Sequence, residues 1–212
     1  MKKITLKTYT FLLLTPFLSH AFDTNDLEDF KNTGISHGDL SGANLTPIIK
    51  KLRDSGVNGF DINLEGANLS NANLSNACLE GANLSETNLT SANLSHINVR
   101  NANLAYSKLM HANITNGNLE NCILIYSDLS YANLDNADCC YANLSYCRLV
   151  KALLHHTNFS HTDLFASDLS GARLKHTLFY NTYVLGAKPP QFLHRKQIIL
   201  ARTIQKIART IK

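Results

Sequence analysis

A five-residue period constrains this chain more than any other feature. From Ala67 it reads ANLSN ANLSN ACLEG ANLSE TNLTS ANLSH. With the leucine of each unit taken as its centre, centres recur at every fifth residue from Leu64 to Val184, 25 units without an insertion. The centre is Leu in most units and otherwise Val99, Ile114, Cys139, Phe159, Phe179 or Val184. Two residues earlier stands a small residue, mostly Ala, Ser, Thr or Cys, and the residue before the centre is usually Asn or Asp. One large and one small apolar position in every five fit neither a 3.6-residue helix nor a period-2 strand. A turn is needed in every unit, so the chain must coil into a solenoid.

The A-(N/D)-L-x-x pattern resembles the pentapeptide-repeat family over about 125 residues. That resemblance implies an all-β solenoid: a right-handed, four-sided parallel β-helix with four units per coil. The centre and the small residue would point inward and the other three positions outward. A 20-residue coil puts Ala72, Ala92, Ala112, Ala132, Ala152 and Ala172 in one inner column, and Leu69, Leu89, Leu109, Leu129, Leu149 and Leu169 in another. Phe159 and Phe179 then stack beneath Cys139. Lys108, Asp128, Arg148 and Asp168 form an outer column of alternating sign, which suits neighbours one rung apart. Asn73, Asn93, Asn113 and Asn133 form a ladder able to bond rung to rung. At about 4.8 Å per rung the rod would be about 30 Å long. Cys122 and Cys147 take small inner slots and Cys139 a centre, so they read as core packing, while Cys78 and Cys140 face outward and stay open to disulfide or redox chemistry.

The ends read differently. Residues 1–21 carry three lysines and no acid, then a short apolar run from Phe11 to Leu18 and a small-x-small site at Ser19-His20-Ala21. This is the pattern of a secretory signal peptide, with a mature start near Phe22 and export to the periplasm or beyond; the alternative is an uncleaved anchor. Residues 22–61 read as an N-terminal cap. They hold a short helix over 24–32 with Asn25 and Glu28 as a capping pair. Two repeat units follow at Leu40 and Leu45, out of step with the array. A second helix, Pro47 to Ser55, has Thr46 as its N-cap and Gly56 as its stop. The array occupies 62–187. Residues 188–212 carry seven bases and no acid. Leu193, Leu200, Ile204, Ile207 and Ile211 share one helical face, and Arg195, Arg202, Lys206 and Arg209 the opposite one. This basic amphipathic helix reads either as a C-terminal cap or as a contact for an anionic membrane or acidic partner.

Catalytic motifs are absent: the sequence has no G-x-S-x-G, H-E-x-x-H, Walker loop or C-x-x-C. Neither an enzyme nor a cofactor is expected. Of the array histidines, all but His155 take the last slot of a unit, and His156 and His176 fall one rung apart. A metal site needs a third ligand, so solvated corner histidines are the plainer reading and no metal is assigned. The candidate binding edge is aromatic. Tyr106, Tyr126 and Tyr146 are 20 residues apart and stack on one outer edge, with Tyr131 and Tyr141 in the same slot on other edges. Such a ladder serves either as a stiffener or as a strip for a protein partner.

Three functions follow. The first is an exported, non-enzymatic scaffold or protein-binding module acting through the outer faces of the rod, with an unidentified protein partner and no nucleic acid. The second is a secreted, membrane-associated or host-directed effector using the C-terminal helix. The third comes from the resemblance, since some members of the family mimic DNA and bind DNA gyrase. It implies a strongly acidic face, whereas residues 62–187 carry nine acids and six bases.

Overall fold

The computed structural model of the chain describes residues 40–54, 56 and 62–190. The expected signal peptide, the expected helix over 24–32 and the basic segment with Arg195, Arg202, Lys206 and Arg209 lie outside the described residues. What is described is a β solenoid carrying one helix, α1 (Thr46–Asp54). Parallel bridges link residues 20 apart, from Asn63↔Asn83 to Asp168↔Lys188, so four five-residue units make one coil. Each face holds a single bridged residue per coil, too few for an extended strand.

Why the unit is five residues long follows from its backbone donors, illustrated by the unit around Leu89. The Leu89 N–H donates to Lys108 O in the next coil at 2.7 Å, and the Asn88 N–H to Ala67 O in the preceding one at 3.0 Å. The Ser91 N–H reaches Met110 O, and the Ala92 N–H closes the turn onto Leu89 O at 3.1 Å. The remaining donor, the Thr90 N–H, meets Asn88 Oδ1 at 3.2 Å. All five N–H groups are thereby satisfied, as a stack with little buried water requires. The Asn/Asp preference before the centre has the same origin: its side-chain oxygen accepts the N–H two residues on. The Asn amide then donates to the coil before, as in Asn88 to Asn68 at 3.0 Å and Asn93 to Asn73 at 3.3 Å.

Inside, the centres are close to fully buried, with Leu69, Leu89, Leu129 and Phe159 at 0–1% exposure. Each buried leucine contributes about 1.5–3 kcal/mol relative to exposure. Small inner slots tolerate hydroxyls because coil carbonyls are within reach. Thr157, Thr162, Thr177 and Thr182 donate at 2.6–2.8 Å to Leu134, Cys139, Leu154 and Phe159 of the coil before. Cys122 and Cys147 occupy the same slots and donate to Val99 O and Leu124 O. Cys139 is a buried centre, Cys78 and Cys140 are half-buried, and all five thiols are free. Phe159 stacks on Phe179 at 5.6 Å. One expectation is corrected here. The slot after the centre is not always exposed: Ser130, Ser145 and Ala105 are 2%, 5% and 8% exposed.

At the N-terminal end the two early units are in register after all. Asn44 pairs with Asn73, 29 residues on instead of 20, and the excess of nine equals the length of α1. The helix is therefore a nine-residue insertion that bulges from a corner and returns the chain to the same columns. The sequence spacing looked out of step because the 19 residues from Leu45 to Leu64 are not a multiple of five; without the nine helical residues ten remain, two whole units. The expected capping role also moves. Leu45 O accepts the first helical N–H, from Ile49 at 2.9 Å, so Leu45 is the cap residue. Thr46 is already helical, and its hydroxyl donates to Ser75 O in the rod at 2.9 Å. Tertiary contact outcompeted local capping because the helix is anchored to the coil below through Thr46 and the buried Ile49.

Candidate binding surface

Every unit from Leu64 to Val184 turns through a left-handed residue two positions after its centre. This conformation costs an ordinary L-residue about 1–2 kcal/mol, and Gly, Asn and Asp bear it best. Gly66, Gly81, Gly171 and Gly186 and several asparagines follow that rule. Five tyrosines break it: Tyr106, Tyr126, Tyr131, Tyr141 and Tyr146 hold φ between 60° and 61°. Bulky residues held there indicate a compensating interaction or a function.

Part of the compensation is visible. Tyr106 stacks on Tyr126 at 5.3 Å and Tyr126 on Tyr146 at 4.7 Å, each within 11° of parallel. The ladder also runs further than the 20-residue spacing suggested. Tyr146 meets Phe165 edge-on at 5.3 Å, and Phe165 stacks on Tyr183 at 6.1 Å. Phe165 and Tyr183 escaped the sequence reading because neither stands in a corner slot; the corner itself is Ala166. A concentration of aromatics in outward slots was the signal that could have found them. Since the rings cover one another's faces, the ladder presents ring edges and phenol hydroxyls outward. Tyr106, Tyr126 and Tyr146 are 57%, 49% and 41% exposed.

The neighbouring corners follow the same scheme. His111 stacks on Tyr131 at 5.0 Å, Tyr141 on His161 at 4.7 Å and His156 on His176 at 4.8 Å. Among the described residues no group of three His, Cys, Asp or Glu side chains is placed to hold a metal ion. His155 has a backbone task. Leu153 and Arg173 replace the usual Asn, so the N–H two residues on loses its local acceptor. The His155 N–H turns to Asp135 Oδ1 at 2.8 Å, and His155 Nδ1 accepts the Lys175 N–H at 3.2 Å. Burial pushes the Cys122 and Cys147 thiols up to about 12, which leaves them unreactive at neutral pH. Burial, followed by the nearby Asp138 and Glu120 carboxylates, also raises the Cys140 thiol.

The charged column alternates as its spacing implies. Asp128 meets Arg148 at 3.7 Å and Asp168 meets Lys188 at 3.4 Å, both at the surface. Among the described residues, every exposed large apolar or aromatic side chain falls between Tyr106 and Tyr183. On the face between the Tyr141 and Tyr146 corners, Ile123 and Tyr183 are 46% and 50% exposed in a column that otherwise holds Asn and Asp. No helix among the described residues is long and apolar enough to cross a membrane.

A family profile described as pentapeptide repeats matches eight copies in overlapping segments that together run from residue 61 to 181. No curated protein matches the sequence. Among solved structures, HetL of the cyanobacterium Nostoc sp. strain PCC 7120, a pentapeptide repeat protein involved in heterocyst differentiation regulation, is 21% identical. That match covers 82% of this chain and 100% of HetL, with a TM-score of 0.33. QnrB1, a plasmid-mediated fluoroquinolone resistance protein, is 16% identical over 80% of this chain and 96% of its own, with a TM-score of 0.44. Rfr23 of the cyanobacterium Cyanothece 51142 is 27% identical over 74% of this chain and 98% of its own, with a TM-score of 0.40. All three scores lie below 0.5, so the architecture rests on the hydrogen-bond register.

Proposed function

Since the chain belongs to the pentapeptide-repeat family, we propose that it is an exported, non-enzymatic binding module whose rod, right-handed and capped by helices at both ends, holds a protein partner along its aromatic edge. One observation carries this reading: Tyr106, Tyr126 and Tyr146 occupy left-handed corners, where Asn serves elsewhere on the rod, and remain largely exposed. A rod stiffener alone would not need rings in positions that cost backbone energy. Tyr combines a rigid apolar body with a polar tip, which suits a protein interface.

The gyrase reading lacks its surface. The acids of residues 62–147 are spread over all four faces, and Glu120 and Asp128 are paired with Arg100 and Arg148. Export rests on residues 1–21, and mass spectrometry of the mature N-terminus tests it: a start at Phe22 supports export, and an uncut chain in the cytosol refutes it.

The edge is tested with Tyr106→Asn, Tyr126→Asn and Tyr146→Asn combined, because Asn already occupies the equivalent corners Asn101, Asn121 and Asn136. Crosslinking in envelope extracts with the full chain should capture a partner that the triple variant loses while its circular dichroism is unchanged. A partner captured equally well by both proteins would refute the edge.

A further inference from the structure

The rod is electrically polarised along its axis. Residues 62–147 carry seven acids and two bases, a net of −5, whereas residues 148–190 carry two acids and five bases, a net of +3. Of those five bases, Arg148 and Lys188 are spent on Asp128 and Asp168, and the Lys151 ammonium lies over the Tyr131 ring at 5.3 Å. Arg173 and Lys175 are exposed and have no carboxylate partner among the described residues.

Both belong to the last full coil, and the outward positions that follow them there are unusual. Leu178 and Tyr180 are 55% and 68% exposed. One coil earlier the same columns hold Asn158 and Ser160. Two cations without a carboxylate partner among the described residues therefore stand on one face of the terminal coil, and a protruding leucine and a protruding tyrosine on the next. That combination matches a lipid–water interface. Cations meet anionic headgroups, tyrosine sits at headgroup level, and an aliphatic side chain reaches the acyl boundary. Duplex nucleic acid fits less well. It needs cations repeated along a phosphate track, and the coils above are acidic.

We propose that the last coil of the rod is a contact for anionic phospholipid membranes, with Arg173 and Lys175 on the headgroups and Leu178 and Tyr180 in the interface. The polarity orients the rod end-on, with its acidic coils held away from the negative surface. A Debye length of about 8 Å at physiological salt screens repulsion from all but the nearest coils. The contact is separate from the tyrosine edge and does not depend on it.

Vesicle flotation of the full chain tests this, with phosphatidylcholine vesicles against phosphatidylcholine–phosphatidylserine vesicles. One variant is Arg173→Asn with Lys175→Ser, residues found in the same columns at Asn133 and Ser95. A second is Leu178→Asn with Tyr180→Ser, which restores the pattern of the coil before. A third neutralises the tail with Arg195, Arg202, Lys206 and Arg209 all changed to Gln. The wild type should float with serine-containing vesicles only. Each of the first two variants should lower its partition coefficient at least about tenfold, and the third should leave a component that those same substitutions remove. The proposal is overturned if the wild type ignores phosphatidylserine, if the first two variants float like the wild type, or if the tail variant alone abolishes binding. Tighter binding to a DNA duplex than to the vesicles also overturns it.

Discussion

The coils before Tyr106 and those after it share one interior and differ in their exterior. In both, leucines and small residues fill the inner columns, and the 20-residue bridge register is the same. Outside, the earlier coils turn through Asn, Ser, Gly, Glu and His, and their bridged columns are mostly Asn. The later coils turn largely through Tyr, His and Asn, expose Ile123, Leu178 and Tyr180, and become net positive from residue 148 on. In this solenoid the inner columns and the Asn/Asp ladder before the centres maintain the stack, each coil resting on its neighbours. The other outer positions are left free, and this chain concentrates aromatic and basic groups on its later part. That division is why function is sought there.

The comparison can be broken from inside first. Phe159 is fully buried, whereas its stacking partner Phe179 in the last coil is half-buried. Phe159→Ala should cost about 3–5 kcal/mol in urea unfolding, and Phe179→Ala clearly less. Equal losses would show that the end of the rod is as well covered as its middle.

Stability should also follow pH. The folded-state thiols of Cys122 and Cys147 are raised from 9.0 to about 12 by burial, so above pH 9 the unfolded chain loses protons that the folded one keeps. Stability is full below that point and falls as pH rises toward 12, by about 1.4 kcal/mol per pH unit per thiol. Hydrogen exchange should show this loss in the later coils, and Cys122→Ala with Cys147→Ala should remove it. An unchanged pH profile in that double variant would mean that other groups control it.

Corner exchange separates strain from stacking. Asn71→Tyr places a ring in a left-handed corner above Ser91, without a ring to stack on, and should destabilise by about 1–2 kcal/mol. Tyr126→Asn loses two stacks of about 0.5–1.5 kcal/mol each but relieves the backbone, and should stay within about 1 kcal/mol of the wild type. A large loss on Tyr126→Asn would make the ladder a stiffener. Smallest of all, Arg100→Ala breaks a surface pair with Glu120 at 3.2 Å and should change stability by less than about 1 kcal/mol.

The coil length, the inner columns, the places of the cysteines and the Tyr106–Tyr126–Tyr146 stack were legible because they depend on one period. The inserted helix was legible to within one residue from Pro47 and Gly56, but not that it restores the register, since the spacing between Leu45 and Leu64 does not by itself show that its nine residues are to be left out. Phe165 and Tyr183 were missed because an outward ring can lean toward a neighbouring column. The terminal patch was overlooked as well: its charge averages away over the array, although the period already places Leu178, directly before the centre Phe179, in an outward slot.

The sequence by itself determined the coil, because a turn every five residues with inner Leu and small residues leaves no other way to bury both. It also determined which columns stack. Only the tertiary structure decided that all five N–H groups of a unit are satisfied, that the tyrosines occupy left-handed corners, and that Arg173 and Lys175 lack carboxylate partners among the described residues. Those facts depend on what stands one coil above and below, at distances the chain sets only when it closes its turns.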